Sequence, residues 1–393
     1  MLVGKYKASS HSVIRDLFYE ACEKTKRFGA ENVFDYTLGN PSVPVPAAYD
    51  AVLKRLADDP DFTTVHGYSA GAGIGSVREK IADFLKGRYG LPYAARHIFM
   101  ASGAASAIAH ALRCVVGAGE EVIVFSPFFP EYGPYIDGAG GVMKIVPCDP
   151  ATLQIDTDAF EKAVTAKTAA VLLNSPCNPT GVVCGENTLK RMADILSEKQ
   201  KAFGRSVFIV SDEPYREIVF DGKTVPYPSA YWPNTLSCYS FSKALSVPGD
   251  RIGYIAVSPF AEGADDIAEM CVQASRYTGH NCPTAMMQLA VAETMGLTAD
   301  LSVYEKNMNV LYDAFTGLGY ETVRPDGTFY LFVRAKEPDA VAFCRKAAEY
   351  NLYFVPGDSF GGAGMFRVAF CRDTATVERT VPVLERFTKE VYG

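Results

Sequence analysis

The chain has 393 residues, of which 48% are apolar and 21% charged, with a formal net charge of −7. This is enough chain for two domains and a large core, with the composition of an ordinary globular protein. The acidic balance and the lack of any basic block argue against nucleic acid as a partner. No apolar run reaches the ~18–20 residues that span a bilayer, and Met1–Ser10 lacks the apolar core of a signal peptide. A cytoplasmic protein without membrane attachment is expected.

In chain order, the N-terminal ~45 residues carry one predicted helix, Val13 to Arg27, and an extended Gly39-Asn40-Pro41 turn. Short apolar, β-branched runs then recur at Ile98–Ala101, Glu121–Phe125, Val142–Pro147, Ala169–Leu173, Val207–Ser211, Thr235–Tyr239 and Ile252–Val257. Helical periodicity lies between many of them, as in Ala104–Val116, Asp158–Val164 and Glu186–Lys199. Alternation of this kind predicts an α/β fold, a three-layer α/β/α large domain around a mainly parallel seven-stranded sheet. The remainder reads as a smaller α+β domain. It has a long helix at Ser302–Leu318, strands at Thr328–Arg334, Tyr353–Val355 and Met365–Phe370, and helices at Asp339–Tyr350 and Thr376–Val391. The expected division is 46–285 for the large domain, with 1–45 and 286–393 forming the small one.

Ten cysteines without a Cys-x-x-Cys pair read as reduced, mostly buried thiols. His11, His66, His97, His110 and His280 show no metal-ligand spacing, so no metal is expected.

The chemistry concentrates at predicted strand ends, where open α/β sheets bind ligands. Ala101-Ser102-Gly103-Ala104-Ala105 leaves bare backbone N–H groups where a strand opens into a helix, a place suited to an anion, though many strand–helix turns look alike. Phe128 and Phe129, held between two prolines, can set a ring over a flat ligand or serve the core. Asn178 sits in a turn fixed by Pro176, Pro179 and Gly181, where its amide can donate to a phenolate oxygen. Asp212, ending a strand, can pair with a pyridinium nitrogen or cap the next helix, and Tyr215 follows within reach of the same ring. In Ser240-Phe241-Ser242-Lys243 with Arg251 eight residues on, the lysine can be an amine nucleophile that forms a Schiff base, while serine and arginine hold a phosphate. Arg367 lies on an apolar predicted strand, where a charge must be paired, and its planar fork suits a carboxylate.

In this order the segments resemble the fold-type I pyridoxal 5'-phosphate (PLP) enzymes and, within them, the class I/II aminotransferases of the aspartate aminotransferase-like kind. The resemblance runs from about Val33 to Val391. It rests on Ser240, Ser242, Lys243 and Arg251, on Asn178-Pro179-Thr180-Gly181, and on Asp212 with Tyr215. It implies that Lys243 carries PLP and moves the substrate proton, that Asp212 pairs with the ring nitrogen, and that Asn178 and Tyr215 bond the phenolate oxygen. It further implies that Phe129 stacks on the ring, and that Gly103, Ala104 and Ala105 with Ser240, Ser242 and Arg251 hold the phosphate. Arg367, helped by Gly39 and Asn178, would bind the substrate α-carboxylate. Tyr68, in a Tyr-x-x-x-x-Gly-x-x-x-x-Arg segment ending at Arg78, matches a tyrosine that reaches the phosphate of a partner subunit, which implies a homodimer with shared active sites.

The implied activity is ping-pong transfer of an amino group from an L-amino acid to a 2-oxo acid. An acidic donor such as aspartate with 2-oxoglutarate is expected first, and aromatic or broad-range donors next. Three positions depart from the family pattern. Asn40 stands where Glu or Gln is usual, and Ala105 and Ser106 stand where one aspartate-transaminating branch has Lys-Gln. Arg276, seven residues before Pro283, is placed like a side-chain-carboxylate arginine of another branch, and equally like a surface arginine near a dimer interface. A PLP-dependent C–S β-lyase or a racemase would use the same motifs. A non-catalytic regulator fits poorly with intact Lys243, Asp212, Asn178 and Arg251.

Overall fold

The computed structural model describes residues 13–393. Met1–Ser10 and His11, on which expectations were stated above, lie outside the described residues.

The strands are β1 (Phe34–Asp35), β2 (Ile98–Ala101), β3 (Glu121–Ser126), β4 (Val142–Pro147), β5 (Thr168–Asn174), β6 (Phe208–Asp212), β7 (Thr235–Ser240), β8 (Gly253–Val257), β9 (Tyr330–Arg334), β10 (Leu352–Tyr353), β11 (Val355–Pro356) and β12 (Met365–Ala369). Seven of them form one sheet in the order β2-β8-β7-β6-β5-β3-β4. Strand β8 runs antiparallel to both its neighbours, and the other neighbouring pairs are parallel. The sheet expected from the apolar runs is therefore present, with one reversed strand.

Both faces of this sheet are covered, which is why its strands are apolar at successive positions. Side chains alternate across a strand. Val122 and Val124 face a core with Leu172, Leu236 and Ile255 and the helix Ala104–Val115, while Ile123 and Phe125 face another with Leu173, Ile209 and the helix Glu186–Phe203.

The reversed strand positions the site. Because β8 runs back along β7, the segment joining them, which holds Lys243 and Arg251, lies at the carboxyl end of β7. The registers Ala101↔Gly253, Ser240↔Gly253 and Asn174↔Asp212 bring the ends of β2, β5, β6 and β7 to the same edge.

The C-terminal elements form a separate antiparallel sheet, β11-β12-β9, beside a parallel pair, β1 with β10. Their core is aromatic, with Phe315, Phe343, Phe354 and Phe366 buried beneath the helices Ser302–Gly317, Ala340–Glu349 and Thr374–Tyr392. The predicted strand Tyr353–Val355 is in fact two short strands that join different sheets: Tyr353 pairs with Asp35 and Val355 with Arg367. Pro356, which lacks an N–H, is accommodated because β11 is an edge strand.

Candidate active site

Gly39, Ala104, Ala105, Phe129, Asn178, Asp212, Tyr215, Ser240, Ser242, Lys243, Arg251 and Arg367 line one cavity of about 300 Å³. That is within the range of small-molecule sites.

At one end the helix Ala104–Val115 begins at Gly103, which has φ 83°, and no side chain caps its N-terminus. Its first N–H groups therefore remain available to an anion. The Arg251 guanidinium is fixed there, donating to the Ser102 carbonyl at 3.1 Å and the Pro248 carbonyl at 2.9 Å. Buried Ser240 donates to Ser242 Oγ at 2.7 Å. A Cβ on Gly103 would stand 2.7 Å from Arg251 Nη2. Gly103→Ala is expected to destabilise the fold by about 1–3 kcal/mol, the cost of a side-chain-bearing residue in a backbone region essentially confined to glycine, read as a lower denaturant midpoint.

On the cavity floor Asp212 is buried. Its Oδ2 accepts a 2.6 Å hydrogen bond from the Tyr132 hydroxyl, and its Oδ1 has no hydrogen-bond partner among the described residues. Burial pushes its pKa up to about 7; the Tyr132 bond and nearby Lys243 oppose the rise, and Glu213 adds to it. Asn174 fixes the neighbouring turn, donating from Nδ2 to the Asp212 carbonyl at 2.9 Å and accepting the Asn178 N–H at 2.7 Å. Behind Asp212, Glu213 and Arg216 form a buried ion pair at 3.1 Å.

Lys243 is partly buried, and its Nζ donates to the Gly39 carbonyl at 2.6 Å. Burial brings its pKa down to about 8; Arg367 and Arg251 help, while Cys371 and Asp212 oppose. Such a lysine is a better nucleophile than an exposed one.

Arg367, in the middle of β12, is 2% exposed. Its Nη1 donates to Asn178 Oδ1 at 3.0 Å and its Nη2 to the Thr37 carbonyl at 2.6 Å, while Nε has no hydrogen-bond partner among the described residues. No carboxylate is among these partners. The guanidinium lies over the Tyr330 ring at 4.5 Å, and the Tyr330 and Tyr215 hydroxyls are 3.1 Å apart. The Gly39 backbone passes so close that a Cβ there would fall on the Tyr330 hydroxyl.

Two expected residues lie elsewhere in this chain. Tyr68 is fully exposed, and Arg276 sits on the exposed side of the helix Ala264–Thr278, donating to Gln273 Oε1 at 3.4 Å. Both line a separate surface cavity of about 700 Å³.

A match to the family described as aminotransferase class I and II spans residues 30–384. The chain belongs to the aminotransferase class I and II family. Family members are PLP-dependent enzymes that transfer amino groups. Among its relatives, a probable N-acetyl-LL-diaminopimelate aminotransferase of Bacillus subtilis is 30% identical over 91% of this chain and 89% of that protein. A probable aspartate aminotransferase of Methanocaldococcus jannaschii is 27% identical over 98% of this chain and 99% of that one. A crystal structure of an aminotransferase from Eubacterium rectale superposes with a TM-score of 0.95 at 39% identity, covering 98% of this chain and 97% of the other.

Sequence reasoning missed several parts of this aminotransferase site. Tyr132 reaches Asp212 across 80 positions and the Thr37 carbonyl reaches Arg367 across 330. Tyr330 and Ile14 also line the cavity. Tyr132 had one available signal, its place three residues after Phe129 in the same turn. Among the described residues no cluster of His, Cys, Asp or Glu could hold a metal ion, and no helix is long and apolar enough to cross a membrane. The ten cysteines carry free thiols.

Proposed function

We propose that this chain binds PLP at Lys243 and uses it to transfer an amino group from an L-amino acid to a 2-oxo acid. The observation that carries this reading is the partly buried Lys243 amine sharing one cavity with a buried, half-partnered Asp212 carboxylate. The donor set suits PLP. Asp212 Oδ1 awaits a cationic partner, the uncapped helix start at Gly103 with Ala104 and Ala105 awaits an anion, and Arg367 Nε awaits an acceptor.

When bound, PLP supplies an electron sink that makes the Cα–H of an attached amino acid acidic. Asp212 would hold a proton on the ring nitrogen, a role its burial strengthens because two opposite charges attract more at low dielectric. Ser240, Ser242, Arg251 and the helix start would hold the phosphate. Asn178 and Tyr215 would bond the phenolate oxygen, and Phe129 would cover a ring face. Lys243, whose pKa is already lowered, would serve as the amine that takes the Cα proton and returns it at the other end of the reacting unit. Arg367, kept in orientation by Asn178 and Thr37, would take the α-carboxylate.

Arg367 lies on the small sheet, whereas Asp212 and Ser240 end strands of the large one and Asn178 and Lys243 follow its strands. This supports a division into 46–285 against 1–45 with 286–393, with substrate bound between them. We also propose a homodimer. The fully exposed Tyr68 cannot serve its own cavity, and it would reach the phosphate held by a second copy.

The test is spectroscopic. PLP added to the purified protein should give the protonated Schiff-base absorption, and an amino acid should convert it to the pyridoxamine form. A protein that never acquires the chromophore sinks the reading, as does stoichiometric pyruvate from L-cystathionine without any amino acceptor. Arg367→Ala is expected to raise the KM for the amino acid by about 10²-fold, because a buried, charge-assisted carboxylate contact is removed. This is checked by comparing KM and kcat for one donor.

A further inference from the structure

The cationic side chains lining the Lys243 cavity, among the described residues, are Lys243, Arg251 and Arg367. Arg251 is tied to the helix start by the Ser102 and Pro248 carbonyls, and Arg367 to the opposite side by Thr37 and Asn178. On the functional reading above, on which this inference rests, Arg251 serves the phosphate, Arg367 the α-carboxylate and Lys243 the proton. Among the described residues, no lining cation is then left for a second carboxylate on the substrate.

Besides Asn178 and the Tyr215 and Tyr330 hydroxyls, the lining near Arg367 includes an apolar wall. It is made by Ile14 from the helix Val13–Phe28, Leu38 beside Gly39, and the Tyr330 ring on which Arg367 rests. Ile14 is partly buried and backed by a cluster that includes Leu153, Phe332 and Phe360, so it is supported from behind. A carboxylate against this wall would lose its hydration without gaining a counter-charge. A methylene there gains about fourfold in binding. We propose that the amino donor carries an uncharged, apolar side chain, with Ile14 and Leu38 as the residues that select it.

The competing source of a cation is Arg276, which lines the surface cavity it shares with Tyr68 and would reach this site only from a second copy of the chain. The experiment separates the two. The full-length protein loaded with PLP is titrated calorimetrically with three unreactive acids: 4-methylpentanoate, 3-phenylpropanoate and succinate.

The first two are expected to bind at least about tenfold more tightly than succinate, the discrimination a few methylenes allow. Ile14→Ala should weaken 4-methylpentanoate by about tenfold, and Arg276→Ala should leave the order of the three acids unchanged. Equal binding of all three overturns the proposal. So does tighter binding of succinate that is lost in Arg276→Ala, which would assign the side-chain subsite to that arginine. The wild-type order alone decides the matter if Ile14→Ala does not fold.

The transaminase reading is checked on the same sample by adding amino acids. Conversion to the pyridoxamine form together with tight succinate binding defeats only the present proposal. Failure of every amino acid to convert the chromophore defeats both.

Discussion

Lys243→Ala is expected to lower amino transfer by about 10⁴-fold, the upper range for loss of a positioned proton-transfer group, while the fold survives. The reason lies in where the amine sits. Its Nζ is held on the Gly39 carbonyl in a partly buried position, with Arg251 and Arg367 lining the same cavity. With a pKa of about 8 it is neutral in about a tenth of molecules at pH 7, against about one in three thousand for an ordinary lysine. Only the neutral amine can attack a carbonyl or take a proton. The rate of cofactor attachment in the wild type should therefore rise with pH up to about 8 and then level off. A plateau near the ordinary lysine pKa would contradict the burial argument.

Lys243→Arg should fail as completely as the alanine variant, because a guanidinium stays protonated. Stopped-flow absorbance with PLP reads the attachment rate, steady-state amino transfer reads the loss, and circular dichroism checks the fold. If either variant keeps more than about a hundredth of wild-type activity, well above the loss set by proton-transfer catalysis, Lys243 is not the proton carrier.

Much of this site was legible because its residues follow strands. Asn178 follows β5, Asp212 ends β6, and Lys243 follows β7. Runs such as Val122–Phe125 are apolar at every position because both faces of the sheet are covered, and turn chemistry then marks where each run stops. What the sequence did not disclose are contacts between segments that local patterns leave independent. The Tyr132 hydroxyl on Asp212 is one, and the Thr37 and Gly39 carbonyls that meet Arg367 and Lys243 are others. A backbone carbonyl has no residue signature, so these could not be read from composition or spacing. Arg276 shows the converse. Its spacing to Pro283 suggested a role, yet within one chain it lies on an exposed helix face away from the Lys243 cavity.

The second large effect is expected at Asp212, where stability and function pull in opposite directions. Asn copies the carboxyl in size and can still accept the Tyr132 bond, but it carries no charge into a buried floor. In the folded, cofactor-free protein Asp212 holds its proton up to about pH 7, whereas an ordinary aspartate loses it near 3.8. Between those values the folded state binds the proton and the unfolded state does not, so this group's contribution to stability is complete below about 3.8 and is lost as pH rises to about 7.

Without PLP, Asp212→Asn should therefore be more stable than wild type at pH 8, by about 2–4 kcal/mol. That gain should shrink as the pH is lowered to 5. Lys243 titrates in both proteins and its own contribution rises between about pH 8 and 10.5, above the range compared, so most of it drops out of the difference, apart from the small part that depends on Asp212. Amino transfer should fall by about 10²–10³-fold, the cost of removing one preorganised electrostatic group.

Adding PLP should then reverse the stability order, since a protonated ring nitrogen gives the wild-type carboxylate the partner that Oδ1 lacks, and ligand bound only to the folded state stabilises it. Urea unfolding with and without PLP, at pH 5 and pH 8, reads each of these differences. An Asp212→Asn protein that is less stable than wild type at pH 8 without PLP, or that gains as much from PLP as wild type does, would remove Asp212 from the role given to it here.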